Sequence, residues 1–225
     1  MSILCKKLEG SPDYARVVPL VVFVGLTALQ GRLGRGSEYW VYLLKTFVGA
    51  WMIWEMRPCL EEMRWKISWE AVAVGVAVLV VWVGLDGHYP RLARLEAGAE
   101  WNPHRQFGPG SVMAWVCVVM RIAGSTLVVP PIEEVFYRSF LYRCLANSRF
   151  QAVPFKEFHA LPFAVTAVAF GLAHPQRWVA GILCGAAYQG LVLRKNRLGD
   201  AMTAHAVTNF LLGIWVVWKG QWHYW

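Results

Sequence analysis

Three short clusters of polar side chains interrupt the apolar second half of the sequence. The first is Glu133-Glu134 with Arg138, directly after Pro130-Pro131. Glu134 and Arg138 are four residues apart, so on a helix they share a face and can pair. Glu133 lies about 100° round the helix, without an obvious local partner. An unpaired buried carboxylate can act as a general base near neutral pH. The alternative is an acidic pair that caps a helix and is closed by a salt bridge.

The other two clusters each contain a histidine. His174 ends an apolar segment, and Pro175 stops the helix after it. His205 and Asn209 are four residues apart in the last apolar segment, so both lie on one face, and both can donate hydrogen bonds. Taken singly, His174 could also be a core histidine with a purely structural role, its ring nitrogens hydrogen-bonded within the protein. The other pair also fits hydrogen bonding between membrane helices. Each cluster alone therefore leaves a structural alternative open.

The segments that carry these clusters have the composition of membrane helices. The 225-residue chain is 57% hydrophobic and 16% charged, whereas about a quarter of the residues of a soluble domain are charged. Its apolar residues fall in blocks, several of them near the roughly 20 residues that a helix needs to cross a hydrocarbon core. The 13 Trp residues fit as well, because Trp favours membrane interfaces. We therefore predict an all-α fold, a polytopic transmembrane helical bundle, in one integral membrane domain over residues 1–225.

The spacing of the breaks predicts about eight helices. They are expected at roughly 16–30, 39–57, 68–85, 111–129, 131–147, 160–174, 177–194 and 200–219. Pro130-Pro131 should end one helix and start the next, because proline suits the first helical turn but disfavours helix just before it. The polar stretch 86–110 is expected to be an extramembrane loop. The protein is predicted to be a multi-pass protein of the cell (inner) membrane, with an orientation that the positive-inside rule does not decide.

The net charge of +8 does not indicate a nucleic-acid partner. The basic residues are scattered singly or in short clusters at the ends of apolar blocks, and no basic helix face is interleaved with aromatic residues. Contact with anionic lipid headgroups of the bilayer explains them better. The five cysteines form no C-x-x-C pair. We expect them to be small core residues rather than a disulfide or zinc framework.

Taken together and in order, the three clusters resemble the motifs of one family. Glu-Glu-x-x-x-Arg at 133–138, Phe-x-x-x-His at 170–174 and His-x-x-x-Asn at 205–209 resemble the CPBP family of intramembrane glutamate-dependent proteases. This family, also called CAAX prenyl protease 2 (Rce1-like) or ABI, includes the CAAX proteases and bacteriocin-processing enzymes. All three motifs match without departure, and the resemblance spans roughly residues 111–219. The Glu-Tyr-Trp-Val-Tyr run at 38–42 and the aromatic carboxyl end resemble the prenyl-protease-related branch associated with bacterial exosortase sorting systems.

The resemblance implies an intramembrane endopeptidase with a role for each motif residue. Glu133 would act with His174 to activate a water molecule, and His205 and Asn209 would stabilise the oxyanion of the tetrahedral intermediate. The substrate would be a membrane-anchored peptide or protein, and exosortase-type sorting machinery would be a partner. Alternating helix directions start the helix of His205 from the end opposite Glu133. We therefore expect a polar cavity that reaches roughly mid-depth and is lined by these residues.

Glu134 and Arg138 would hold the helix of Glu133 in place, and no cofactor is expected. Two alternatives remain at this stage. One is a zinc protease in which Glu133, His174 and His205 are the three protein ligands, although no H-E-x-x-H motif is present. The other is a non-catalytic membrane protein of the same fold, such as an immunity factor or a sorting-system scaffold.

Overall fold

The described residues fold into eight α-helices, and no β-strand occurs among them. The structure is a computed structural model and describes residues 11–93 and 100–225. The helices in chain order are α1 (Pro12–Ala28), α2 (Ser37–Met56), α3 (Trp69–Gly84), α4 (Pro103–Phe107), α5 (Val112–Ala146), α6 (Ala160–Leu172), α7 (Trp178–Lys195) and α8 (Gly199–Lys219). The predicted all-α class is therefore confirmed.

The expected break at Pro130-Pro131 is absent, so that part of the prediction was wrong. Instead, α5 passes through both prolines as one helix of 35 residues. Two of its stretches, Gly124–Val128 and Val135–Leu141, are π-helical. A proline inside a helix lacks an N–H donor, and its ring clashes with the carbonyl four residues earlier. Because hydrogen bonds in a π-turn span five residues, the wider turn before the prolines lets the helix continue.

A short helix lies inside the stretch that was expected to be a loop. Asn102 precedes α4, and its side-chain oxygen accepts hydrogen bonds from the backbone N–H groups of His104 (3.0 Å) and Arg105 (3.2 Å). These bonds satisfy donors that the first turn of a helix otherwise leaves free. Residues 94–99 of the predicted loop lie outside the described residues.

Two of the helices, α5 and α8, are long and apolar enough to cross a bilayer, and α3 and α6 are shorter apolar helices. Large apolar side chains also point outward from them, with Val112 81%, Leu161 73% and Trp218 70% exposed. Soluble monomers rarely expose large contiguous apolar patches. Faces of this kind suit contact with lipid.

One cysteine departs from the sequence expectation. Cys59 is disulfide-bonded, so the expectation that the cysteines form no disulfide was wrong for this residue. It lies in the turn after α2, where segments outside the helices can meet. Cys117 and Cys184 are buried within helices and free, as expected of thiols that pack as small apolar groups.

The described residues form two compact units. The first contains residues 11–60, 100–132 and 209–225, and the second contains 61–93 and 133–208. The divisions fall inside α5 and inside α8. Glu133, Glu134, Arg138, His174 and His205 all belong to the second unit, whereas Asn209 belongs to the first.

Close helix contacts through glycine build the second unit. A Cβ atom on Gly171 of α6 would lie 2.4 Å from Ile182 Cγ1 and 2.6 Å from the carbonyl oxygen of Trp178 on α7. A Cβ atom on Gly75 of α3 would lie 2.6 Å from the carbonyl oxygen of Ala204 on α8. Only glycine permits backbones to approach so closely. The backbone beside His205 is therefore held directly against α3.

We expect Gly75→Ala to lower the free energy of unfolding by about 1–3 kcal/mol, since the added methyl group overpacks the contact between α3 and α8. The matched control is Gly84→Ala in the same helix, where an added Cβ has no neighbour within 4 Å. Helix propensity alone should make that variant more stable by up to about 1 kcal/mol. Thermal unfolding of the purified variants in detergent measures the difference. Equal melting temperatures for the two variants would contradict this account of the contact.

Candidate active site

The glutamate pair lies on α5 directly before its second π-helical stretch. The side chains of Glu134 and Arg138 are both 0% exposed, and Arg138 Nε lies 3.2 Å from Glu134 Oε2. The pair predicted from the spacing of four is therefore present. The contact is an ion pair rather than a hydrogen bond, because the Arg138 Nε–H group is not aligned with Glu134 Oε2.

Arg138 also contacts two other helices of the second unit. Its Nη2 donates a hydrogen bond to the carbonyl oxygen of Gly185 on α7 (3.3 Å). Its guanidinium carbon lies 4.5 Å from the ring centroid of Phe170 on α6. A buried ion pair is retained only when further contacts offset the desolvation of both charges. Arg138 thus connects the glutamate helix to α6 and α7.

His205 makes a contact with Glu134 that sequence reasoning missed. Its Nδ1 lies 2.9 Å from Glu134 Oε1, and the imidazole is 5% exposed. Because an ionised carboxylate only accepts hydrogen bonds, Nδ1 carries a proton in this contact. The two residues are 71 positions apart, and no local spacing signals such a pair. The contact places His205 against the residue next to Glu133.

Aromatic packing fixes the His205 ring. Tyr188 of α7 stacks on it, with ring centroids 5.1 Å apart and an interplanar angle of 19°. The Tyr188 hydroxyl donates to Thr208 Oγ1 (2.8 Å), and Thr208 Oγ1 lies 2.9 Å from the carbonyl oxygen of Gly75. Tyr188 is 1% exposed. Sequence reasoning did not select it, since a single tyrosine in an apolar helix gives no signal of its own.

His174 lies two residues after the end of α6, and one of its ring nitrogens is already engaged. Its Nδ1 lies 2.8 Å from the carbonyl oxygen of Phe170. A carbonyl oxygen only accepts, so Nδ1 carries the proton and Nε2 of the neutral ring keeps a lone pair. The ring packs edge-to-face on Trp82 (centroids 5.4 Å apart) and against Phe170 (4.9 Å). His174 can therefore accept a proton at Nε2.

Glu133 has the free carboxylate oxygen that its position suggested. Its Oε2 is buried and has no hydrogen-bond partner in the part of the chain that the structure describes. One turn later on α5, the Tyr137 ring lies 5.1 Å from that of Phe170, which also contacts His174 and His205. Phe170 thus connects the helices that carry the two histidines to the glutamate helix.

Asn209 lies in the first unit. Its Nδ2 donates to the carbonyl oxygen of Ser125 (2.8 Å), which lies in the π-helical stretch Gly124–Val128. Backbone carbonyls freed by a π-turn need new donors. The amide therefore has a partner within its own unit.

Candidate metal ligands do not cluster in the part of the chain that the structure describes. Among residues 11–93 and 100–225, no three His, Cys, Asp or Glu side chains are grouped so that they could hold a metal ion. The zinc alternative with Glu133, His174 and His205 stays a prediction.

Comparison with known proteins identifies the part of the chain that contains the motifs. Residues 110–211 match the family model described as type II CAAX prenyl endopeptidase Rce1-like. These residues are an Rce1-like domain. The match includes all three motifs and confirms the expected resemblance to CAAX proteases. No curated protein and no solved structure matches the chain.

The Rce1-like domain belongs to a family of proteases that are embedded in membranes. This match and the apolar helices α5 and α8 together support a membrane protein. The glutamates, the histidines and Asn209 all fall within the matched residues.

Removing one member of the buried ion pair should strongly destabilise the Rce1-like domain. We expect Arg138→Met to lower the free energy of unfolding by about 3–5 kcal/mol, because it leaves the Glu134 charge buried without its partner. The double variant Glu134→Gln/Arg138→Met should recover part of this loss. Arg64→Gln is the control, since Arg64 and Glu61 form an exposed pair 3.9 Å apart that should contribute little. Denaturant unfolding in detergent distinguishes the variants, and equal stability of the Arg138 and Arg64 variants would refute the assigned role.

Proposed function

We propose that the protein is an intramembrane endopeptidase that hydrolyses a peptide bond of a membrane-associated protein or peptide, with water activated by Glu133 and His174. The observation that carries the proposal is the orphaned Glu133 Oε2 within a domain of a protease family. A scaffold gains nothing from a buried carboxylate oxygen without a partner, because such a group lowers stability.

Two proton acceptors are available for the first step. In the proposed step, Glu133 Oε2 and His174 Nε2 bind the hydrogens of one water molecule, and general-base catalysis requires such contacts. The water oxygen attacks the substrate carbonyl carbon while its proton passes to one of these groups. The same proton then goes to the leaving amine as the C–N bond breaks. The products are a carboxylic acid and an amine, and no metal ion takes part.

His205 is suited to stabilise the oxyanion. Its Nδ1 donates to Glu134, so a second proton on Nε2 makes the ring a charged donor whose charge the Glu134 carboxylate balances. A charged donor aimed at the developing oxyanion supplies the electrostatic stabilisation that acyl transfer needs. Asn209 keeps the role of second donor that the family resemblance implies.

We propose that the protein and its substrate lie in the same membrane. The chain is a multi-pass protein of the cell inner membrane, and its substrate is a membrane-anchored peptide or protein delivered through the bilayer. Exosortase-type sorting machinery is the proposed partner, on the likeness of the 38–42 run and the aromatic carboxyl end. The apolar outward faces of α5 and α8 suit a substrate that arrives from the lipid.

Loss of the Glu133 carboxylate should abolish proteolysis. We expect Glu133→Gln to reduce substrate turnover about 100- to 10,000-fold, the usual contribution of a general base. Glu157→Gln is the matched control, because Glu157 is an exposed glutamate of the same unit whose carboxylate pairs with His159. Membrane peptidomics of cells that carry each variant at equal abundance identifies the peptide terminus that disappears.

The outcomes of that experiment separate the alternatives. A terminus that vanishes only with Glu133→Gln supports the protease and names the cleavage site. Identical peptide profiles in all strains, together with a phenotype of the deletion strain, would favour the scaffold or immunity factor. Turnover by purified protein that disappears on adding a strong chelator would refute the metal-free mechanism.

Tyr188 should affect the rate through His205. We expect Tyr188→Leu to lower kcat by up to about 100-fold with little change in KM, since the imidazole loses its stacking partner and moves from its working position. Tyr188→Phe keeps the ring and loses only the bond to Thr208, so its kcat should stay within a few-fold of the wild type. The comparison uses a peptide that spans the cleavage site. Equal kcat values for the leucine variant and the wild type would exclude this positioning role.

A further inference from the structure

Arg121 lies inside α5, nine residues after the helix begins at Val112. Ionisable residues within membrane helices are expensive and indicate function by default. Arg121 lies outside the three motifs, and no step of the proposed hydrolysis uses it. It belongs to the first unit, so its contacts are independent of the Glu133 site.

Three aromatic rings surround the Arg121 guanidinium. Its central carbon lies 4.6 Å from the ring centroid of Tyr42, 4.7 Å from Trp101 and 5.7 Å from Trp225. We call Arg121 and these three rings the arginine cage. Each contact is a cation–π interaction, which stabilises the positive charge.

Other contacts hold the rings of the arginine cage in place. Trp101 Nε1 donates to the carbonyl oxygen of Glu38 (3.0 Å), and the Tyr42 hydroxyl donates to the main-chain carbonyl oxygen of Arg121 (3.0 Å). The Trp101 ring also packs on Trp225, with centroids 5.6 Å apart. The cage is therefore organised before any ligand binds, and preorganisation reduces the entropy lost on binding.

The guanidinium itself lacks a hydrogen-bond acceptor. In residues 11–93 and 100–225, its nitrogen atoms form no hydrogen bond and no ion pair with a carboxylate. A guanidinium has five N–H donors in a planar fork, and ring faces do not replace strong acceptors for them. A largely enclosed cation of this kind needs an anion or water to complete its contacts.

Position along the helix indicates where that anion comes from. Nine residues correspond to about 14 Å of helix, and a long side chain leans back toward the helix N-terminus, which brings its charge nearer the helix end. Trp101 lies in the segment before that end, and Trp residues mark the headgroup level of a bilayer. Cationic pockets between membrane helices at this level bind phospholipid headgroups.

We propose that the arginine cage binds the phosphate of an anionic phospholipid headgroup. The Arg121 fork donates two parallel hydrogen bonds to phosphate oxygens, the geometry in which arginine exceeds lysine as a phosphate ligand. The aromatic rings exclude water from the ion pair and so strengthen it. Neighbouring acyl chains lie against the apolar outer face of α5, where Val112 is 81% and Val119 60% exposed.

The test is native mass spectrometry of the full chain in a maltoside detergent, titrated with dioleoyl phosphatidylglycerol. We expect wild-type protein to retain one lipid and Arg121→Gln to bind it at least about tenfold more weakly, since it loses a charge-assisted bidentate contact. Arg121→Lys keeps the charge without the fork and should lie between the two. Arg64→Gln removes an exposed arginine of the other unit and should bind like the wild type.

Each further outcome decides the proposal. If Arg121→Gln does not fold, as judged by thermal unfolding, the Arg121→Lys variant alone carries the comparison. Wild-type protein that retains no lipid, or an Arg121→Lys variant that binds as tightly as wild type, overturns the proposal. Inorganic phosphate that displaces the lipid at equal molar concentration assigns the site to free phosphate and overturns the lipid source. None of these readouts depends on proteolysis, so the lipid site and the protease stand or fall separately.

Discussion

The buried ion pair between Glu134 and Arg138 is the interaction on which the second unit depends. Two full charges at 0% exposure are tolerated only when contacts with other groups offset their desolvation. Glu134 gains a bond from His205, and Arg138 gains the Gly185 carbonyl and the Phe170 ring. Each partner comes from a different helix. The pair therefore joins α5, α6, α7 and α8 by contacts whose loss would leave a charge unsatisfied.

This arrangement gives the two adjacent glutamates different chemistry. Glu134 is neutralised by its neighbours and acts on the structure, whereas Glu133 keeps an unpartnered oxygen. The two histidines are divided in a similar way. His174 directs Nδ1 to a neutral carbonyl oxygen, whereas His205 directs Nδ1 to the Glu134 carboxylate. The hydrogen bond at Nδ1 of each imidazole therefore leaves Nε2 as the nitrogen that can act on a substrate.

Glycines allow the helices to approach closely enough for these contacts, and a π-helical turn keeps the glutamate helix continuous. Gly75 lets α3 reach the backbone of α8 beside His205, and Gly171 lets α6 reach α7. The π-helical stretch Gly124–Val128, directly before the two prolines, lets α5 continue across them. A helix that ended at Pro130 would have freed the glutamates from the rigid element that carries them. Continuity of α5 is therefore part of how Glu133 and Glu134 are positioned.

Sequence by itself determined the helical class, the apolar segments and the pairing of Glu134 with Arg138, because periodicity and a spacing of four are local properties of a helix. It also selected Glu133, since a residue one position away lies on another face. Local rules failed at Pro130-Pro131, where hydrogen bonding across five residues overrode the usual effect of proline. They failed again at Cys59, whose disulfide depends on the tertiary structure.

Only the tertiary structure decided that His205 binds Glu134, that Tyr188 stacks on His205 and that the Arg121 guanidinium contacts aromatic rings but no hydrogen-bond acceptor. These contacts join residues 17 to 104 positions apart, and packing rather than local spacing brings them together.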